Sequence, residues 1–349
     1  MKRFLIILSI LQLFNFHVSA ETNIPPLPSQ NSLSNATESS IEQAKKQVPP
    51  KPYDKPHLGI RIGVSSSEND LHLPLGSTIC IFLNNTNSKN CRVVQYKSSF
   101  EAINSMLNGD VNIVLTDSVT SKFFLDKSNK IETKKIRFVS SLFDEKLVFI
   151  TRKDLNIKQL SSLKGTSINI SQKDSLNRII FDDLIAYMKW QISDFKTVSE
   201  FTNDEAIKGI CKGIVDATLI VAEDMNKDLK DVTRLCELNI INLSQDEINT
   251  MTQNPAYIPT KIDGGTYVGM PNDINTAAGR AILLSTSQVS NEQIYFLISE
   301  ISRHLKEIRL LHYSLNNLSM EDCLNLTRIA PLHDGVLEFM EKSNLKEKN

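Results

Sequence analysis

Near its end the chain reads "APLHDGVLEF" (330–339), which sets His333 beside Asp334 just after a proline. An imidazole next to a carboxylate is the raw material of acid–base catalysis. A working pair, however, needs the carboxylate to orient the ring and a nucleophile within reach. Neighbouring residues rarely face each other, and no Gly-x-Ser-x-Gly occurs in the chain. The expectation is structural: Asp334 caps a last helix that carries Leu337 and Phe339. Asp182-Asp183 and Asp204-Glu205 read as solvated helix faces. No catalytic set assembles, so the chain is not expected to be an enzyme.

The cysteines are the next reactive groups. Cys80 and Cys91 flank a polar stretch between two apolar runs, and Cys211 and Cys236 are separated by a strand-like run and a charged segment. No CxxC is present, so the ligand spacing of a zinc site is missing. In an oxidising compartment the reading is Cys80–Cys91 and Cys211–Cys236 with Cys323 free, although four cysteines can pair in three ways.

That compartment is suggested by the start of the chain. Lys2 and Arg3 precede the apolar run "FLIILSILQLFNF", and Val18-Ser19-Ala20 supplies small residues for cleavage. Residues 1–20 are read as a secretory signal peptide, because the run is too short for a spanning helix. Residues 21–57 are rich in Pro, Ser, Asn and charge and are read as a disordered linker. An exported, periplasmic protein with no spanning segment of its own is expected.

Composition narrows the rest. The 349 residues are long enough for two cores, and 41% hydrophobic with 23% charged residues is ordinary for a globular chain. A formal net charge of -1 provides no field to draw in nucleic acid, which is set aside as a partner.

Such residues must be positioned by alternating strands and helices. "LGIRIGV", "CRVVQYK" and "VNIVLTD" read as strands, with helical spacing in "LPLGSTICIFLNN" and in "SSFEAINSMLNG", the latter closed by Gly109. "KLVFITRKD", "SINISQ" and "VDATLIVA" repeat the pattern around the helices "LNRIIFDDLIAYMKW" and "EAIKGICKG". Strands alternating with helices build a mainly parallel sheet, and two such units suggest a cleft beyond the carboxyl ends of their strands. The final third reads as helical, with Ser290 and Gln293 before the long run "IYFLISEISRHLKEIRLLHYSL" and Ser319 before "MEDCLNL".

Taken in order, "IRIGV", "AINSMLNGDVNIVLTD", "LSSLKGTSINI" with "SLNR", "GICKGIVDA", "NPAY", "IDGGTYVG" and "LSMEDCLNLTRIAPLHDGVLEF" resemble the TAXI family, the solute receptors of one class of TRAP transporters. The resemblance runs from about residue 58 to 342. It implies a two-lobed α/β fold of the second periplasmic-binding-protein type, with a ligand cleft between the lobes and a hinge of crossing strands. Lobe 1 would span 58–147, completed by about 282–345, and lobe 2 would span 148–281. It also implies capture of a small carboxylate-bearing solute, an amino acid or an organic acid such as glutamate, for a TRAP-type membrane permease, with no cofactor.

The site residues follow from the same resemblance. In the first loop the family's glycines become Ser65-Ser66-Ser67-Glu68-Asn69, where Ser66 is the candidate and Glu68 would repel an anion unless turned away. Ser98 and Ser99 put hydroxyls at a helix start, either for ligand or as plain caps. Thr116 keeps a hydroxyl at a strand end, and Asp117 beside it is read as ligand-facing or as an N-cap. Ser175, Asn177 and Arg178 match a family motif, Arg178 offering its planar fork to a carboxylate; the alternative is a surface pair with Asp174 or Asp182. Gly265 and Tyr267 lie in the Gly-rich loop, Tyr267 either on the solute or packed in the core. Glu223 and Asp224 would suit an amino group better than a second acid.

Overall fold

A computed structural model describes residues 59–65, 71–86, 90–128, 131–325 and 328–346. The leader (1–20), the linker (21–57) and Ser66 with Glu68 lie outside the described residues. Among the described residues ten strands form one sheet, in the order β2 (Cys91–Tyr96), β1 (Ile60–Ser65), β3 (Ile113–Asp117), β10 (Ile274–Thr286), β4 (Ile136–Arg152), β7 (Ala217–Ala222), β5 (Ser167–Asn169) and β6 (Thr197–Ser199), with β8 (Leu238–Ile240) paired to β4 and β9 (Ile258–Ile262) to β10. The first lobe is built from β1 (Ile60–Ser65), α1 (His72–Asn84), β2 (Cys91–Tyr96), α2 (Ser99–Leu107), β3 (Ile113–Asp117) and α3 (Ser118–Lys127). β1 pairs in parallel with both β2 and β3, as crossover helices require.

β4 (Ile136–Arg152) is one long strand that leaves the first lobe and enters the second. There it pairs with β7 (Ala217–Ala222), beyond which lie β5 (Ser167–Asn169) and β6 (Thr197–Ser199). The helices of this lobe are α4 (Leu176–Met188), α5 (Asn203–Cys211), α6 (Lys227–Leu235) and α7 (Gln245–Met251), with the short strands β8 (Leu238–Ile240) and β9 (Ile258–Ile262). β10 (Ile274–Thr286) runs back antiparallel to β4, entering between β3 and β4. Two strands thus cross between the lobes, pairing Ala278–Arg280 with Asp144–Lys146. This is the two-lobed, type II architecture that the sequence implies.

The cores follow the lobes. In the first, strand residues Ile62, Val64, Val114 and Leu115 pack with Ile294, Leu297 and Ile301 of α8 (Asn291–Arg303) and with Phe339 of the last helix, Asp334–Lys342. The second lobe buries both faces of its sheet: Leu147, Phe149 and Leu219 face one cluster, Val148, Ile150 and Ile220 the other. Alternate residues of a strand point to opposite faces, so these near-continuous apolar runs are what a sheet covered on both sides needs. α4 shows the local logic: Ser175 caps its start, Ile179, Ile180 and Leu184 form its buried stripe, and Lys189 in left-handed conformation closes it.

Both expected disulfides are present, Cys80–Cys91 and Cys211–Cys236, and Cys323 is free and buried. Burial pushes its thiol up to about 11. Among the described residues no helix is long and apolar enough to cross a membrane.

Three expectations are corrected. The run 294–315 is not one helix: α8 stops at Arg303, His304 breaks it with φ -101° and ψ 21°, and α9 (Leu305–Arg309) follows. The His304 ring stacks on Phe82 at 4.1 Å, a tertiary contact that the apolar periodicity of α8 could not announce. The last helix is capped by His333 rather than Asp334: Nδ1 of His333 accepts from Gly335 N–H at 3.1 Å, and Nε2 lies 3.2 and 3.1 Å from the carbonyls of Thr286 and Val289. Burial holds its pKa below the usual histidine value, which suits a neutral ring in this role. Asp183 is not solvated; it is half-buried and accepts the Tyr257 hydroxyl at 2.8 Å.

Candidate functional site

The carboxyl ends of β1 and β3, the starts of α1, α2 and α3, and the crossing of β4 with β10 meet in one place. β4 carries three ionisable residues in a row there, Asp144, Glu145 and Lys146. Because a strand alternates its side chains, Asp144 and Lys146 face one way and Glu145 the other.

On the Asp144 side every charge is matched. Asp144 accepts from Arg280 at 2.5 Å and from Thr260 at 3.0 Å. Arg280 also donates to Ser141 Oγ at 2.5 Å and to the Leu142 carbonyl at 3.0 Å. Lys146 donates to Asp224 at 2.5 Å and to the Lys261 carbonyl at 2.6 Å. Desolvating charges in this way is tolerable only with such partners.

The Glu145 side is different. Glu145, 1% exposed, lies 3.1 Å from Nε2 of fully buried His72, the first residue of α1. Asp117 ends β3 opposite Ala281, and Gly279 of the same strand lies opposite Glu145, which puts both carboxylates on one face of the sheet. Asp117 accepts Thr120 N–H at 2.6 Å and Ser99 Oγ–H at 3.3 Å. Burial first, and then the charge of Glu145, raise the Asp117 carboxyl to about 6. Two acids thus lie near a single imidazole, in a cluster with almost no access to water.

The predicted site residues fall as follows. Ser98 is the cap of α2, accepting Glu101 N–H at 3.3 Å, while Ser99 reaches into the acid cluster. Asp117 is the expected N-cap, of α3. Thr116 is fully buried at the strand end, its hydroxyl without a hydrogen-bond partner among the described residues. Ser175 caps α4. The Asn177 amide donates to Asn203 at 2.6 Å and to the Leu219 carbonyl at 3.3 Å and accepts Val221 N–H at 3.3 Å, tying α4 to α5 and β7. Arg178 pairs with Asp182 at 3.0 Å and Glu200 at 2.7 Å, beside the ends of β5 and β6. Ser98, Ser99 and Thr116 are gathered in the first lobe, and Ser175, Asn177 and Arg178 in the second.

Gly265 and Tyr267 sit apart from both groups, in the turn that joins β9 to β10. Gly265 has φ +81°, and at Gly264 a Cβ would lie 2.4 Å from the Pro271 carbonyl, so the glycines serve a tight turn. Tyr267 is 4% exposed and packs with Ile262 and Ile274. Burial, and then Asp224 and Glu223, push its hydroxyl well above the usual tyrosine value.

Sequence reading missed His72, Glu145 and the Arg280–Asp144 pair. A signal was present: the triplet Asp144-Glu145-Lys146 interrupts the apolar run "FVSSLFDEKLVFI", and charges inside a buried strand demand partners. A second unread feature is backbone conformation. Ser171, Asp174 and Met225, just beyond β5 and β7, all take φ 64°, a left-handed setting that L side chains seldom adopt and that collects at functional loops.

A two-lobed α/β protein with crossing strands and polar groups at the ends of its strands is a binding-protein architecture. The chain belongs to the NMT1-like family, whose profile matches residues 65–342. No curated protein matches it. Among solved structures it is similar to PhnD1 from Prochlorococcus marinus in complex with methylphosphonate (13% identity, TM-score 0.49, 82% of this chain and 98% of that one). It is also similar to the periplasmic aliphatic sulphonate binding protein SsuA from Escherichia coli (11%, 0.46, 82% and 84%). A third match is a putative L-cystine ABC transporter protein from Listeria monocytogenes (12%, 0.45, 74% and 96%). Likeness at this level transfers no ligand.

Proposed function

We propose that the protein is an exported solute receptor that closes its lobes around a small carboxylate-bearing molecule and delivers it to a TRAP-type membrane permease. The observation that supports this reading best is the meeting of strand ends and helix starts at a two-strand crossing, since ligands of open α/β sheets sit beyond the carboxyl ends of the strands. Of the two solute classes in view, the amino acid is favoured over the plain organic acid. An ammonium group would complement Glu145 at the crossing, while the start of α4, with Ser175 and Arg178, offers free amides and a guanidinium to the carboxylate.

The test is thermal unfolding of the protein against a panel of amino acids and organic acids. A ligand at 100 times its Kd stabilises by about 2.7 kcal/mol, enough to move the midpoint visibly. A shift confined to amino acids supports the reading, a shift confined to dicarboxylates moves the solute class, and no shift across the panel counts against a receptor of this kind. The second reading, a diverged receptor acting as a sensor or surface protein without transport, draws on one feature: the groups nearest the crossing already bind each other, His72 with Glu145 and Ser99 with Asp117.

A further inference from the structure

Asp117, Ser118 and Val119 are consecutive, yet they serve three different neighbours. Asp117 ends β3 within the acid cluster of the first lobe. Ser118 donates from Oγ to the Ala256 carbonyl of the second lobe at 2.7 Å and accepts Arg280 N–H of the crossing strand at 2.9 Å. Val119 packs into the second lobe's core with Phe149 and Ile180. Gly279 makes the approach possible: a Cβ there would lie 3.0 Å from Val119 Cγ2 and 3.4 Å from Ser118 Oγ. The start of α3 is therefore a latch, anchored in one lobe by Asp117 and seated in the other by the next two residues.

We propose that the latch is proton-sensitive: it stays seated while Asp117 is neutral and loosens when Asp117 ionises, so that lobe closure takes up a proton. Five groups are set against Asp117, while β10 meets it only with Ala281. They are His72 of α1, Ser99 of α2, Thr120 of α3, Glu145 of β4 and, from the second lobe, Tyr257, whose hydroxyl is held by Asp183. His72 and the amide of Thr120 favour the charged form, while burial and Glu145 oppose it and win. Parting the lobes would draw Ser118 and Val119 away from their seats and let water reach Asp117, which removes the burial that disfavours its charge. The closed form then binds the proton more tightly than the open one, and by linkage a falling pH favours closure.

The test places spin labels on the full chain at Lys306→Cys and Asp204→Cys, exposed positions in the first and second lobes, and measures their separation from pH 4.5 to 7.5 without added solute. The expected result is a longer separation at high pH with a midpoint near 6, the Asp117 value. Asp117→Asn should hold one short separation throughout, and Glu145→Gln should move the midpoint to lower pH, because it removes a like charge while leaving the cap intact. A pH-independent separation in the unaltered protein overturns the proposal, as does an unmoved midpoint in Glu145→Gln. Glu145→Gln keeps the test decisive where Asp117→Asn fails to fold.

Discussion

The two faces of the crossing strands present the same kinds of side chain with opposite bookkeeping. On one, Arg280 and Lys146 each meet a carboxylate and a backbone carbonyl, and Asp144 adds Thr260. On the other, Asp117 and Glu145 are near one imidazole, and the charge of Glu145 raises the cost of ionising Asp117. A matched set of buried charges resists change in pH, whereas an unmatched one stores a dependence on it. The first face fixes the hinge and the second leaves it adjustable.

The sharpest way to break the matched face is Arg280→Met. It removes the charged donor of Asp144, whose side chain is only 24% exposed, and the donor of the buried Leu142 carbonyl. Removing one partner of a buried pair costs roughly 3–5 kcal/mol, and urea unfolding should show it as a lower midpoint. The double variant Arg280→Met with Asp144→Leu should recover part of that loss, because no orphaned charge remains. A single-variant cost under about 1 kcal/mol would mean that the pair is not desolvated.

The unmatched face is probed by pH. The folded Asp117 carboxyl, at about 6, lies above its ordinary 3.8, so the folded state holds this proton more tightly than the unfolded state does. The contribution is complete below about pH 4 and is lost as pH rises through 6. A displacement of about two pH units corresponds to about 3 kcal/mol. Chemical denaturation at steps from pH 4 to 7 should therefore show a declining contribution that Asp117→Asn abolishes. An identical slope in the variant would assign it to other groups.

Between these in kind is Gly279→Ala, which adds a methyl where Val119 already stands 3.0 Å away and Ser118 Oγ 3.4 Å away. Overpacking costs about 1–3 kcal/mol, and the displaced latch should expose Ala256 and its neighbours to faster amide exchange. Stability and exchange both unchanged would show that the close approach at Gly279 carries no weight.

The legibility of these features in sequence divides along the same line. The apolar runs of β1, β3 and β7 and the capped stripe of α4 are local patterns, and the residues 60–65, 113–117, 217–222 and 176–188 obey them. Ser290 and Asp117 were readable as caps for the same reason. The strand crossing was implied by the family resemblance and by no local pattern, because it depends on 17- and 13-residue strands pairing across more than a hundred positions of chain, and no local period reports that. His72 and Glu145, 73 positions apart, become neighbours only through that crossing. Arg178 is the intermediate case: its helix start was legible, but its second partner, Glu200, arrives from the end of β6.

Arg178 offers the smallest change in stability and the cleanest separation of roles. Its side chain is 22% exposed, and its partners Asp182 and Glu200 are 55% and 57% exposed. Exposed ion pairs contribute about 0.2–1 kcal/mol, so Arg178→Ala should lower the unfolding midpoint only slightly. If the guanidinium leaves those partners for a solute carboxylate, the same variant should bind the stabilising solute about tenfold or more weakly, the range for a charged hydrogen bond. Lysine in its place would keep the charge but lose the planar fork, so Arg178→Lys should recover stability without recovering affinity. Equal binding by all three proteins would leave Arg178 as a surface pair of the second lobe and move solute recognition wholly onto the face of Asp117 and Glu145.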